Sequence, residues 1–184
     1  ISISGSKNAA LPILASTILF ENEVIIKNLP RVKDIDTMIN LLKSLGSEIK
    51  FNKNRKIVKI TKKKKQNFFA SYSLVRTMRA GILVLGALVA KHQKSITSLP
   101  GGCLIGARPV NYHLNALKKL GMKYDIKKGY IHAHTKEKLK GAKIRFSKIS
   151  VGATENTIIA ACLANGITIL RNCAIEPEII DLIN

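Results

Sequence analysis

Tryptophan is absent from this 184-residue chain, and aromatic residues of all kinds make up only 5% of it. Basic stretches interleaved with aromatics, of the sort that stack nucleobases, are therefore missing. Acidic residues are also scarce: 11 Asp and Glu stand against 31 Lys and Arg, a formal net charge of +20. No run of 18 or more uncharged apolar residues occurs, and the apolar stretch from Ala9 to Phe20 is too short to span a bilayer and carries Pro12. Neither a transmembrane segment nor a signal peptide is expected. The three cysteines, Cys103, Cys162 and Cys173, are odd in number and lack metal-ligand spacing. That pattern points to reduced thiols in a cytosolic protein, not to a disulfide framework or a metal site. With neither a P-loop nor a dinucleotide fingerprint, nucleotide hydrolysis and redox chemistry have no motif to support them, and no cofactor is expected.

What is present is enough apolar material, 46% of residues, for one sizeable core. The chain opens at Ile1 and stops at Asn184 inside a helix begun near Glu176, so it reads as a piece of something longer. A charge of +20 raises nucleic acid as a partner. The lysines are dispersed, however, and the only dense run, Lys62 to Lys65, ends a strand-like segment and reads as a solvated turn. A basic nucleic-acid-binding domain is kept as the rival from a different class, and no specific nucleic acid is expected.

The chain repeats itself. The unit is a helix, a short strand, a loop, a second helix and then strands. In the first copy, Leu11, Leu14, Ala15 and Ile18 give a one-sided helix over Asn8 to Phe20, in which Pro12 is tolerable only in the first turns. A strand from Val24 to Leu29 follows, then a helix from about Asp34 to Leu45 stopped at Gly46, and a hairpin of 47–52 and 56–61. In the second copy the equivalents are a helix from Met78 to Ala90, a strand from Ser95 to Leu99, a helix from Asn111 to Leu120 stopped at Gly121, and a hairpin of Lys123 to Ile126 and Tyr130 to His134. The third starts at Ser150, runs through a helix to Ala164 and a strand from Ile167 to Arg171, and ends in its second helix. Leu29-Pro30 and Leu99-Pro100 mark equivalent points. The expected fold is a pseudo-symmetric α/β domain with repeats near 7–67, 75–147 and 150–184.

Chemistry is expected first in the loop from Leu99 to Pro109. Gly101, Gly102 and Gly106 permit close backbone approach to a ligand, and Cys103 lies five residues before Arg108. A thiol beside a guanidinium has a lowered pKa and can act as nucleophile or proton donor. Cys162 and Cys173 read instead as small buried residues on a helix and a strand. Three helix starts carry polar groups: Ser6-Lys7-Asn8, Arg76-Thr77-Met78-Arg79, and Ser150 to Thr154. Helix N-termini attract anions, and three brought together make a cationic pocket suited to phosphate. Ser6 and Thr154 read equally well as plain N-caps, and Asp34 and Asp36 as capping residues. His132 and His134 alternate on a strand without a third ligand and read as exposed hairpin residues.

Taken together, Gly5-Ser-Lys-Asn-Ala-Ala-Leu-Pro12, Lys33-Asp-Ile-Asp36, Thr77-Met-Arg-Ala80, Leu99-Pro-Gly-Gly-Cys103, Gly106-Ala-Arg-Pro109, Ser150-Val-Gly-Ala-Thr154 and Glu176-Pro-Glu-Ile179 carry a resemblance. Over essentially its whole length the chain resembles the UDP-N-acetylglucosamine 1-carboxyvinyltransferases of the enolpyruvyl transferase family. The resemblance implies an α/β fold of two inside-out α/β barrels built from pseudo-symmetric repeats. Of these, residues 1–184 form one truncated domain, and the carboxy-terminal domain lies outside the chain.

It implies transfer of the enolpyruvyl group of phosphoenolpyruvate to the 3-hydroxyl of UDP-N-acetylglucosamine, the first committed step of peptidoglycan synthesis. Cell wall biogenesis, cell shape and cell division follow from that role, in the cytoplasm. Carried over by motif, Lys7 and Asn8 contact phosphoenolpyruvate, and Cys103 donates a proton and is alkylated by fosfomycin. Arg79 and Arg108 bind the anionic substrates, while Pro109, Val110, Asn111 and Tyr112 and Lys148, Ile149, Ser150 and Val151 hold the uridine diphosphate. Where the family often has Asp, this chain has Asn111. The shikimate-pathway enolpyruvyl transferase is the enzyme rival; it shares the fold and phosphoenolpyruvate but lacks the cysteine loop.

Overall fold

The computed structural model describes residues 3–52, 54, 56–63, 65–100 and 110–184. Cys103, Arg108 and Pro109 lie outside the described residues. In chain order the elements are α1 (Lys7–Ser16), β1 (Val24–Ile26), α2 (Lys33–Ser44), β2 (Ser47–Asn52), β3 (Ile57–Lys62), β4 (Phe69–Ala70), α3 (Tyr72–Val75), α4 (Leu83–His92) and β5 (Lys94–Ser98). There follow α5 (Asn111–Lys119), β6 (Lys123–Lys127), β7 (Tyr130–His134), β8 (Lys143–Arg145), α6 (Val151–Ala161), β9 (Ile169–Arg171) and α7 (Pro177–Ile183). Short 3-10 turns at Thr17–Leu19 and Arg79–Ile82 extend α1 and lead into α4.

Helix α2 shows why the outer helices form. Ile35, Met38, Ile39, Leu41 and Leu42 recur on one face and are buried, while Asp34 and Asp36 sit in the first turn and Lys43 in the last, where each complements the helix dipole. Neither aspartate caps the helix, as its N-cap is Val32 with no side-chain bond. Gly46 and Gly121, at φ +104 and +106, end the equivalent helices α2 and α5 in a backbone conformation that L side chains rarely adopt. The β6–β7 hairpin turns through Lys128 and Gly129, both at positive φ, as a two-residue turn between right-twisted strands requires.

Among the described residues the strands form three sheets, ordered β1-β3-β2, β4-β5-β7-β6 and β8-β9. In the first two, the strand after the first helix pairs antiparallel with the hairpin: Val24 opposes Ile60, and Ser98 opposes Tyr130. β4 and β8 add parallel edges to β5 and β9, which sequence reading missed because each is only two or three residues long.

Helices α4 and α6 sit at the centre. Eight of the ten residues of α4 are buried. Leu83, Val84, Ala87 and Leu88 join the core of the first unit, and Leu85, Val89 and Ala90 that of the second. A helix with cores on both sides has no polar face to show, hence its uniform apolar sequence.

Several expected bounds move inward. The helix over Asn8 to Phe20 keeps α geometry only to Ser16, with Pro12 inside it. The first strand ends at Ile26, because Asn28 adopts φ 59. The third helix ends at Ala161, and the strand after it begins at Ile169. Met78 to Ala90 is not one helix: a 3-10 turn at Arg79–Ile82 precedes α4.

Candidate active site

A cavity of about 640 Å³ opens where α1, the Arg79 turn, the start of α5 and the start of α6 converge. It brings together Lys7, Asn8, Arg79, Val110, Tyr112, Ile149, Ser150 and Val151 of the expected site. Asn111 and Lys148 are exposed and are not among its lining residues.

Local sequence places each group. Ser6 caps α1, accepting a hydrogen bond from Ala9 N at 3.4 Å, so Lys7 and Asn8 occupy the first turn. Pro12, also in the wall, has no N–H and leaves the carbonyl of Asn8 without its helical donor. Ser150 caps α6 in the same way, bonding Ala153 N at 3.4 Å. The cap of α6 is therefore Ser150, not Thr154. Thr154 is fully buried; its Oγ1 donates to Ser150 O at 2.8 Å and accepts from Ala174 N at 3.1 Å, tying the start of α6 to the approach to α7. Arg76 and Thr77 stand off the cavity: Arg76 lies 5.3 Å from the Tyr72 ring centroid, and Thr77 donates to Leu74 O at 2.9 Å.

The pocket is not purely cationic, contrary to the expectation from its helix starts. Lys7 Nζ meets Asp34 Oδ2 at 3.1 Å, and Glu155 and Glu178 also line the wall. Burial, reinforced by the nearby Glu178 and Glu176 and opposed by Arg79, raises Glu155 to about 7. Near neutral pH this carboxyl is thus partly protonated, which reduces the negative charge it brings to a site lined by Arg79 and Lys7. His113 is neutral, held at about 4 by burial and the charge of Arg79. Arg79 itself makes no ion pair among the described residues, so its guanidinium is available to an anion.

Glu155, His113 and Glu178 were not singled out from sequence, nor was Asn156, which is fully buried behind His113. For Glu155 and Asn156 the only signal was a run of four polar residues, Thr154-Glu-Asn-Thr157, inside a helix that is otherwise apolar. Cys162 is exposed, not buried as expected, and follows α6; desolvation of the thiol raises its pKa, which leaves it a poor nucleophile. Cys173 is half-buried and lies beyond β9. His132 is half-buried and His134 exposed, and no group of three or more potential metal ligands occurs among the described residues.

The sequence profile described as EPSP synthase (3-phosphoshikimate 1-carboxyvinyltransferase) matches residues 1–184. The chain belongs to the EPSP synthase family. Within that family it is similar to the UDP-N-acetylglucosamine 1-carboxyvinyltransferase of Pelagibacter ubique (strain HTCC1062), at 65% identity over all 184 residues. It is 53% identical, again over its whole length, to the protein of that name from Pseudoalteromonas atlantica. The chain spans 44% of the length of each of these relatives.

Among solved structures of this fold, the enolpyruvyl transferase NikO from Streptomyces tendae superposes at a TM-score of 0.83, with 15% identity, over 98% of this chain and 42% of that one. EPSP synthase from Acinetobacter baumannii gives 0.74 at 16% identity, with the same coverage. The architecture is thus the enolpyruvyl transferase fold, α/β and incomplete, as the resemblance implied. No helix among the described residues is long and apolar enough to cross a membrane.

Proposed function

We propose that the protein transfers the enolpyruvyl group of phosphoenolpyruvate to the 3-hydroxyl of UDP-N-acetylglucosamine, and that residues 1–184 form one truncated domain of a two-domain enzyme. The observation that carries this reading is the convergence of Lys7, Asn8, Arg79, Tyr112 and Ser150 on one cavity, in a chain 65% and 53% identical to relatives of that name. The shikimate-pathway alternative has less support, since its named structural neighbour shares only 16% of residues.

The reaction proceeds by addition and elimination. The sugar hydroxyl oxygen bonds to C2 of phosphoenolpyruvate as its own proton passes to a base and C3 gains a proton from an acid. C3 then loses a proton, and the bond from C2 to the phosphate oxygen breaks, releasing inorganic phosphate. Lys7 and Arg79 compensate charge on phosphate and carboxylate, and the capped starts of α1 and α6 aim free N–H groups at the same anions. Asn8, beside Lys7 in the first turn of α1, contacts phosphoenolpyruvate and the tetrahedral intermediate. Cys103 supplies the proton to C3, Arg108 joins Arg79 in binding the anionic substrates, and the stretches Pro109 to Tyr112 and Lys148 to Val151 hold the uridine diphosphate. The site is in the cytoplasm, and the product feeds peptidoglycan synthesis and so cell shape and division.

Fosfomycin labelling of the full-length protein, read by intact mass and peptide mapping, tests the reading. A single adduct on Cys103 that UDP-N-acetylglucosamine enhances is the expected outcome. A folded protein that binds phosphoenolpyruvate but takes no adduct would withdraw the role of Cys103.

A further inference from the structure

Asn156 is completely shielded from solvent. A primary amide buried that deeply is costly unless its hydrogen-bonding groups are matched. Here they are. Gly86 N donates to Oδ1 at 2.9 Å, and Nδ2 donates to the carbonyl of Ile82 at 3.2 Å. A backbone N–H can only donate and a carbonyl can only accept, so these two contacts fix which way the amide faces. The second Nδ2 hydrogen then falls to His113 Nδ1, 3.1 Å away. A nitrogen that receives a donated hydrogen must present a lone pair, so the proton of the neutral ring sits on Nε2.

We propose that Asn156 is a positioning residue that holds His113 as the Nε2–H tautomer, so that the ring offers the cavity a neutral hydrogen-bond donor for an oxygen of an anionic substrate. His113 lines the cavity, and its Nε2 has no partner among the described residues. Gly152 keeps that edge of the ring open: a Cβ there would lie 3.3 Å from Cε1 and 3.6 Å from Nε2. Burial and, after it, the positive charge of Arg79 favour the neutral ring. Glu155, from α6, is the acid on the helix that carries Asn156. A neutral donor works across the range in which an ordinary imidazole would titrate. The choice of substrate rests on the reading of the cavity given above; the tautomer does not.

The test is ¹⁵N NMR of the histidine rings in the ligand-free full-length protein, from about pH 5.5 to 8. A single neutral Nε2–H form of His113 throughout is expected. An Nδ1–H form, or titration within that window, overturns the proposal whatever the enzyme does. UDP-N-acetylglucosamine and phosphoenolpyruvate, added separately, then identify which substrate supplies the oxygen by the shift of the Nε2–H proton. A shift with neither removes the donor role.

Asn156→Asp presents an acceptor to Nδ1 and should move the proton there. It should raise the KM of the interacting substrate about tenfold or more, with a smaller change in kcat. An unchanged tautomer with unchanged KM refutes the positioning role. Loss of the proposed transferase activity in the unmodified protein would defeat the functional reading alone, and the ligand-free spectrum would still stand.

Discussion

The two walls of the cavity follow opposite electrostatic plans. On the α1–α2 wall, Lys7 and Asp34 pair at 3.1 Å with 47% and 34% of their side chains exposed. On the α4–α5–α6 wall, Asn156 and His113 are 0% and 8% exposed and joined by a neutral hydrogen bond. An exposed ion pair contributes about 0–1 kcal/mol, so Lys7 can leave Asp34 for an arriving anion at little cost. The buried network holds one arrangement, because breaking any bond strands its partner away from water. One wall adjusts its charge to the ligand, and the other presents a fixed donor.

The largest expected effect falls on the fixed wall. Asn156→Ala removes the side-chain partner of Gly86 N–H and Ile82 C=O and leaves His113 Nδ1 without its donor, and should lower the unfolding free energy by about 3 kcal/mol. A loss below about 1 kcal/mol in chemical denaturation would erase the contrast between the walls.

Gly86→Ala comes next. Its Cβ would lie 2.2 Å from Asn156 Oδ1 and 2.7 Å from the Asn156 carbonyl oxygen, so α4 and α6 must separate. A cost of about 2 kcal/mol is expected even after the helix gains alanine's better propensity, and a stabilised variant would show that the helices do not touch there.

The pH dependence of stability sharpens the comparison within the fixed wall. Glu155, at about 7 against an ordinary 4.5, keeps its proton longer when folded than unfolded, so its contribution to stability declines as pH rises between those values. His113, at about 4 against 6.5, takes a proton first in the unfolded chain, so stability declines as pH falls from 6.5 towards 4. Glu155→Gln should flatten the alkaline side and His113→Gln the acid side, each by about 1–3 kcal/mol. Thermal melts across pH 4 to 8 read both, and unchanged profiles would mean that neither group is buried as described.

The smallest stability effect belongs to the adjustable wall. Lys7→Ala should change unfolding free energy by about 0.5 kcal/mol or less while weakening phosphoenolpyruvate binding about tenfold or more in the full-length protein. A large stability loss with intact binding would reverse the assignment of the two walls.

Much of the architecture was legible before any coordinates. The spacing of Ile35, Met38, Leu41 and Leu42 is a property of one helix, and so are the stops at Gly46 and Gly121. Lys7, Asn8 and Arg79 were legible as helix-start groups. Glu155 and Asn156 were not, because an apolar helix that carries a short polar run gives no indication of what it packs against. Thr154 was read as a possible cap because Ser and Thr are chemically equivalent in that role. Only the position of α7 shows that its hydroxyl is needed by Ala174 N.

The sequence alone determined the order of the longer helices, strands and hairpins and most of the groups at their starts, since periodicity and capping act within a few residues of chain. Tertiary structure alone decided that His113 and Asn156, 43 positions apart, share a hydrogen, that Gly86 meets Asn156 across 70, and that Glu155 lies near neutrality beside Arg79. Those properties depend on desolvation and on distances between helices, and neither is set until the helices pack.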